Sequence, residues 1–388
     1  MNRTGLTARH VALLALLMAC GFLVVGQLYV TIPLVPEIAS RFAVDPAQAS
    51  LSGTAFGLAY AAGFLIFGPL SDRYGRKRMI LIGLAGITLA TALVGMASGF
   101  GFLLLARAVQ GLAASIFPPA ALSLVTEDLP AQHRPLGVSL MSFAFLGAAP
   151  LAQLFAAGSN GELPAIMFQL APLYAVGALG LAFTASSKRT ISAPQNDAQA
   201  ARPAGLLRDP GIVAAWLAAV TVLLGFVSFY SGAQILGATI GVDLQTLRLV
   251  GLPPLLFTFA AAPLTRHYSA TVTARLGLIL AAAALGIAAI ATPSAALLAS
   301  ALLSGGVALA VPGLIATVAG RTTNANRGRA LAIYSFALFV GASSAPPIAQ
   351  ALAALGTAAL WLLSAVLLLL AALGLTFGIS LPSSSSPR

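Results

Sequence analysis

Gly68-Pro69-Leu70-Ser71-Asp72-Arg73-Tyr74-Gly75-Arg76-Lys77-Arg78 packs five charged residues into eleven positions. It lies between two runs, 46–71 and 79–106, of which the first reaches into it and which hold no Asp, Glu, Lys or Arg. A helix rises about 1.5 Å per residue, so about 20 residues cross a 30 Å hydrocarbon core. Each run is long enough for one crossing. The stretch therefore reads as a charged hairpin between two membrane helices, with Gly68 and Gly75 permitting the tight turn.

The same reading extends outward in both directions. Further charge-free runs are 10–36, 108–126, 135–161, 163–187, 210–242, 249–265, 276–320 and 330–387. The last two are long enough for two spans each, with turns at Thr292-Pro293-Ser294 and near Gly356-Thr357. The total is twelve spans of an all-α membrane protein. Barrel strands need only about ten residues of alternating character, and no such alternation is visible. Gly53, Gly57 and Ala61 give the second span the small-residue spacing that lets membrane helices approach closely.

Composition agrees. Of 388 residues 59% are hydrophobic and 7% charged, with a mean hydropathy of +0.97. Ordinary globular domains are about a quarter charged. A soluble enzyme or nucleic-acid binder is thereby excluded despite the net charge of +11, and so is a disordered chain. The charge has another use. With both termini placed in the cytoplasm, 17 of the 20 Lys+Arg fall on that side. Arg41 and Arg248 fall on the other, and Arg107 lies inside a span. This asymmetry predicts a multi-pass protein of the cell (inner) membrane with both termini cytoplasmic. Cys20 ends a stretch that loosely resembles a lipoprotein or secretory signal. The apolar run continues to Pro36, however, and cleavage would leave eleven spans.

Residues 187–210 have linker composition and divide the chain into two halves of six spans, 1–186 and 211–388. The halves repeat one another at an offset of 193 to 195. Pro69-Leu70-Ser71-Asp72-Arg73-Tyr74 answers to Pro263-Leu264-Thr265-Arg266-His267-Tyr268, Gly111 to Gly305, Pro118 to Pro312, and Ser142-Phe143-Ala144-Phe145 to Ser335-Phe336-Ala337-Leu338. The repeat implies a pseudo-twofold pair of six-helix bundles. Parallel repeats of this kind are expected to enclose a cavity between the halves and to open it alternately to either side.

The charged hairpin resembles the signature loop of the major facilitator superfamily, Gly-x-Leu-(Ala/Ser)-Asp-Arg-x-Gly-Arg-(Arg/Lys), at every fixed position. The resemblance extends over about residues 10 to 380 and looks closest to the twelve-span drug/proton antiporter branch. It implies that Gly68, Asp72, Arg73, Gly75 and Arg76 form a conformational latch. Asp72 would sit at the N-terminus of span 11, and Arg76 would reach Glu127 and Asp128 at the inner end of span 4. Arg107-x-x-Gln110-Gly111 in span 4 resembles an element of proton-coupled members. A guanidinium at that depth costs about 3 kcal/mol unless water or a partner meets it, and its repeat counterpart is Ala301. Arg107, Gln110 and Glu37 are therefore the coupling candidates.

Two elements depart from that branch. The region of span 1 where many such antiporters carry a carboxylate reads Gln27-Leu28-Tyr29, and the span 5 glycine motif survives only as Ala149-Pro150. Polar and aromatic residues remain as candidates for the substrate cavity: Gln27, Tyr29, Phe145, Gln153, Phe226, Tyr230, Gln234, Tyr334 and Phe336. Such a lining suits a neutral or lipophilic solute. The expectation is proton-coupled efflux by alternating access, the alternative an uptake carrier or uniporter for a small metabolite. The expected partners are a small-molecule substrate, protons and the lipid bilayer, with no nucleic acid, and the expected state is a monomer. No cofactor or metal is expected. His10, His133 and His267 are the only histidines, and no hydrolase or metalloprotease motif occurs, so a membrane enzyme has no site. A channel would need symmetric pore rings, which an Arg107 without counterpart does not fit.

Overall fold

A computed structural model describes residues 6–159, 161–185 and 204–380. Twelve helical stretches are long and apolar enough to cross a membrane. Spans 1 to 6 are Ala8–Gly26, Pro46–Gly68, Arg76–Gly95, Phe100–Asp128, Leu136–Gly158 and Leu163–Thr184. Spans 7 to 12 are Pro210–Ile240, Leu244–His267, Ala270–Ala288, Pro293–Gly320, Asn326–Ala353 and Thr357–Thr376. The chain forms two compact units, Met1–Ile191 and Ser192–Arg388.

Short polar residues start several of the helices. Asp45 accepts the N–H of Gln48 at 2.8 Å ahead of Pro46, and Asp209 accepts from Gly211 and Ile212 ahead of Pro210. Each arrangement satisfies donors that the first helical turn leaves open, with proline where its missing N–H does no harm. Of the linker expected over 187–210, the part as far as 203 lies outside the described residues. The remainder holds a single helical turn, Ala204–Leu207, and the Asp209 cap.

The two units pack their spans in the same pattern. In the first, span 1 lies on 5 and 6, span 2 on 4, and span 3 on 4 and 6. In the second, span 7 lies on 11 and 12, span 8 on 10, and span 9 on 10 and 12. The repeat read from short motifs is thus a repeat of neighbours. Gly111 shows what close packing asks of the sequence, since a Cβ there would run into the backbone carbonyl of Phe56 in span 2. Cys20 is buried in span 1, and a Cβ on Gly177 of span 6 would lie 2.5 Å from its sulfur. Both tryptophans belong to the second unit. Trp216 donates to the Ala330 carbonyl at 3.0 Å, and Trp361 packs beside Phe229 with ring centroids 6.0 Å apart.

Three features of the chain differ from the expected runs. Gly68 does not lie in a turn, because the helix that contains span 2 runs on to Tyr74 and Gly75 alone makes the turn, with φ +92°. Span 1 ends at Gly26 and not near Pro36. The chain then turns through Gln27–Leu34 before a short helix, Val35–Phe42. Pro33 keeps this segment from continuing as a regular helix, since its ring would clash with the Tyr29 carbonyl four residues back. Span 8 starts at Leu244, before Arg248, and is itself discontinuous. Leu244–Val250 is helical, Pro253–Phe257 is a tighter 3₁₀ turn, and the α-helix resumes at Thr258–His267. Gly251, Pro253 and Pro254 supply the break.

Candidate functional site

Arg107 is fully buried in span 4, at 0% exposure. Its Nε donates to the Ser52 carbonyl at 3.2 Å. One terminal nitrogen donates to Gln110 Oε1 at 2.6 Å and Gln27 Oε1 at 3.3 Å, the other to the Gln27 backbone carbonyl at 2.7 Å. The guanidinium carbon also lies 4.5 Å from the centre of the Phe56 ring. Every one of these partners is neutral. Among the described residues no carboxylate comes within ion-pairing distance of it.

The unwinding of span 1 makes this possible. Gln27 sits where the helix stops, so its backbone carbonyl is available to an outside donor. The Gln27 amide then donates to Tyr174 Oη at 2.7 Å, and that hydroxyl donates to the Leu23 carbonyl at 2.9 Å. On the other flank Gln110 donates to Thr91 Oγ1 at 2.8 Å. Spans 1, 2, 3, 4 and 6 are joined by one charge-centred network.

The unwound segment ends near Glu37, in the short helix Val35–Phe42. Its carboxylate faces Arg41 at 4.0 Å and the Leu163 N–H at the start of span 6. Burial raises its pKa, Leu163 and Arg41 pull the other way, and Glu162 adds to the rise. One carboxylate oxygen is buried with no hydrogen-bond partner among the described residues.

The charged hairpin is tied down inside the first unit. Arg76 donates to Glu127 at 3.2 Å and to Ser71 Oγ at 3.3 Å. Asp128 pairs with Arg9, and Arg9 also donates to the Thr184 carbonyl at 2.9 Å. Lys77 donates to the Ala182 and Ala185 carbonyls at 2.7 and 2.9 Å, capping the end of span 6. The side chains of Asp72 and Arg73 lie outside the described residues.

The cavity candidates separate into groups. Gln27 belongs to the Arg107 network, and Tyr29 is buried in the unwound segment. Phe145 is half-buried against Gly21, while Gln153 is buried and donates to its own helix at Ala149. In the second unit Phe226 packs edge-on to Tyr230 at 5.2 Å. Tyr334 donates to the Val311 carbonyl at 3.3 Å, and Phe336 is half-buried. Tyr230 reaches Ser300 Oγ at 2.9 Å and Ser304 Oγ at 3.4 Å, and Gln234 accepts from Arg248 at 2.7 Å. Arg248 is no loop residue, for it is buried in span 8 at 2% exposure. Counting charge-free runs hides it, because the rule makes every arginine a boundary. The signal available is Gly251-Leu252-Pro253-Pro254, a breaker inside an apolar segment.

Twelve apolar helices in two bundles of like packing, with a buried arginine network and the charged hairpin, define a multi-pass membrane transport protein. The chain belongs to the Major Facilitator Superfamily, whose sequence profile matches residues 17–267 and 244–388. It is 33% identical over 144 residues to the MFS-type transporter YwfA of Bacillus subtilis, covering 36% of this chain and 35% of that one. It is 32% identical over 154 residues to the cephamycin export protein CmcT of Amycolatopsis lactamdurans, covering 38% and 32%. A 72-residue stretch is 43% identical to the puromycin resistance protein pur8 of Streptomyces alboniger, covering 19% and 14%. The matched stretches thus span about a third or less of these relatives. The human organic anion transporter MFSD10 shares the fold, with a TM-score of 0.74, 16% identity and coverage of 94% of this chain and 99% of that one.

Proposed function

We propose that this protein is a proton-coupled exporter of a small lipophilic solute, working by alternating access. The observation that carries the reading is Arg107, a guanidinium buried in a span and met, among the described residues, by neutral acceptors. A charge at that depth is expensive and is a functional feature by default. Arginine keeps its proton, so its role is to act as a fixed charge whose partners exchange. Glu37 supplies the group that can gain and lose a proton. The Gln27–Leu34 segment links the two, being held by Arg107 at one end and leading to Glu37 at the other. Relatives named for cephamycin export and puromycin resistance support outward transport.

The test is flux in proteoliposomes with an imposed pH gradient, using a solute found by growth-inhibition profiling of an exporter-deficient strain. Arg107→Ala should abolish gradient-driven transport, and Arg107→Lys should keep part of it, since lysine preserves the charge but not the planar fork. Both variants should reach the membrane in normal amount. Full transport by Arg107→Ala would sink the proposal.

A further inference from the structure

Span 6 supports the Arg107 network from behind, through one hydroxyl. Tyr174 is 0% exposed, and its Oη meets two groups of span 1, the Gln27 amide nitrogen at 2.7 Å and the Leu23 carbonyl at 2.9 Å. Cys20, Leu23 and Gln27 share one face of span 1 by helical spacing. Gly177 lies on the same face of span 6 as Tyr174 and sits against Cys20, so near that a Cβ there would stand 2.5 Å from the sulfur. This close approach lets a side chain one turn away reach the backbone of span 1.

We infer that Tyr174 is a positioning residue for Arg107: its hydroxyl sets the Gln27 side chain so that the amide oxygen faces the guanidinium. Three observations support this. First, the chemistry at both ends admits one arrangement. A guanidinium has only donors, and a backbone carbonyl only accepts. Tyr174 gives its single proton to Leu23, so towards Gln27 it can only accept. The amide nitrogen must then face Tyr174 and the oxygen Arg107.

Second, the two contacts of that amide are unequal. Its bond to Tyr174 is 2.7 Å and the one from Arg107 is 3.3 Å, whereas Gln110 Oε1 lies 2.6 Å from the same guanidinium nitrogen. Span 6 therefore holds the Gln27 side chain more firmly than the arginine does. Third, both partners need this hydroxyl. Gln27 is 1% exposed, and among the described residues Tyr174 is the one acceptor of its amide nitrogen. Leu23 is among the last four residues of the helix that ends at Gly26, where carbonyls run out of helical partners. Without the hydroxyl a buried donor is stranded, and the side chain turns towards another acceptor, taking its oxygen from Arg107.

What the positioning serves rests on the transport reading of Arg107, but its test needs no flux. The full-length chain in lipid nanodiscs is labelled with carbon-13 at the side-chain carbonyl of glutamine, and infrared spectra are recorded. The component missing from Gln27→Leu belongs to Gln27. Tyr174→Phe keeps the ring and removes only the hydroxyl. It should shift that component to higher frequency, because a carbonyl released from a guanidinium is less polarised. Thr91→Val removes a hydroxyl from the opposite flank, where it accepts from Gln110, and should leave the Gln27 component in place. A component unmoved by Tyr174→Phe would mean that the ring merely packs, and an equal shift in Thr91→Val would mean general loosening. Either result overturns the inference. Full transport by Arg107→Ala, with the shift confined to Tyr174→Phe, would remove the transport reading and leave the positioning standing.

Discussion

A single guanidinium shows how this protein keeps a charge inside a membrane. Arg107 is solvated by carbonyl oxygens of two glutamines and two backbone groups, which replace water without neutralising the charge. Such a network stands or falls as a set. Gln110→Leu removes one acceptor from a buried donor and should cost about 1–3 kcal/mol of stability. The pair Arg107→Leu with Gln110→Leu should recover much of that loss, because an apolar replacement leaves fewer donors stranded. Melting of the two variants side by side decides it, and a double variant less stable than Gln110→Leu would show that the network is chiefly structural. Glu37 gives a second expectation. Its carboxyl is raised above the ordinary value of 4.5, so the folded state takes up a proton before the unfolded chain does. That contribution is full below the ordinary range and is lost as pH rises through the raised value. Glu37→Gln should therefore melt higher than the wild type near neutral pH, with the gap closing as pH falls towards 4.5. A gap that widens in acid would contradict the sign.

At the scale of elements, the two glycines of the charged hairpin separate. Gly75 turns the chain at φ +92°, ψ 138°, a conformation other residues adopt only under strain of about 1–3 kcal/mol. Gly68 is helical with open space where a Cβ would go. Gly75→Ala should lower stability by that amount, and Gly68→Ala should raise it by about 0.5–1 kcal/mol. Thermal melting with a transport assay tells folding from function, and if Gly68→Ala folds better yet transports worse, the motif glycine serves movement. The breaks in spans 1 and 8 explain what the sequence left hidden. Run lengths locate a span because insertion in lipid depends chiefly on the hydrophobicity of the segment, so all twelve could be counted. Which carbonyl a broken helix offers, and to whom, depends on contacts between distant positions. Hence Gln27 could be named as polar but not as the support of Arg107, and Tyr174 and Thr91 do not stand out among apolar neighbours.

At the scale of the whole molecule, the Lys/Arg asymmetry is a statement about sidedness. A reporter that works only outside the membrane should be silent when fused after Ser187 and active when fused after Gly161. Matching signals from the two fusions would refute twelve crossings with cytoplasmic termini. The fold was legible because its signals are long and repeated: twelve apolar stretches, one charge bias, four motif pairs at nearly one offset. Arg248 escapes such a reading for the opposite reason, being one residue near a helix end whose burial only the folded chain supplies.

The placement of two rare residue types gives the protein a built-in pair of thermometers. Its single cysteine is sealed inside the first unit, and both indoles sit in the second. A fluorogenic maleimide added during heating reports when Cys20 becomes accessible, while indole emission follows the surroundings of Trp216 and Trp361. One unmodified sample therefore yields two curves, one for each half. Coincident midpoints mean that the halves unfold together, and separated ones mean that a single transition temperature misdescribes the chain.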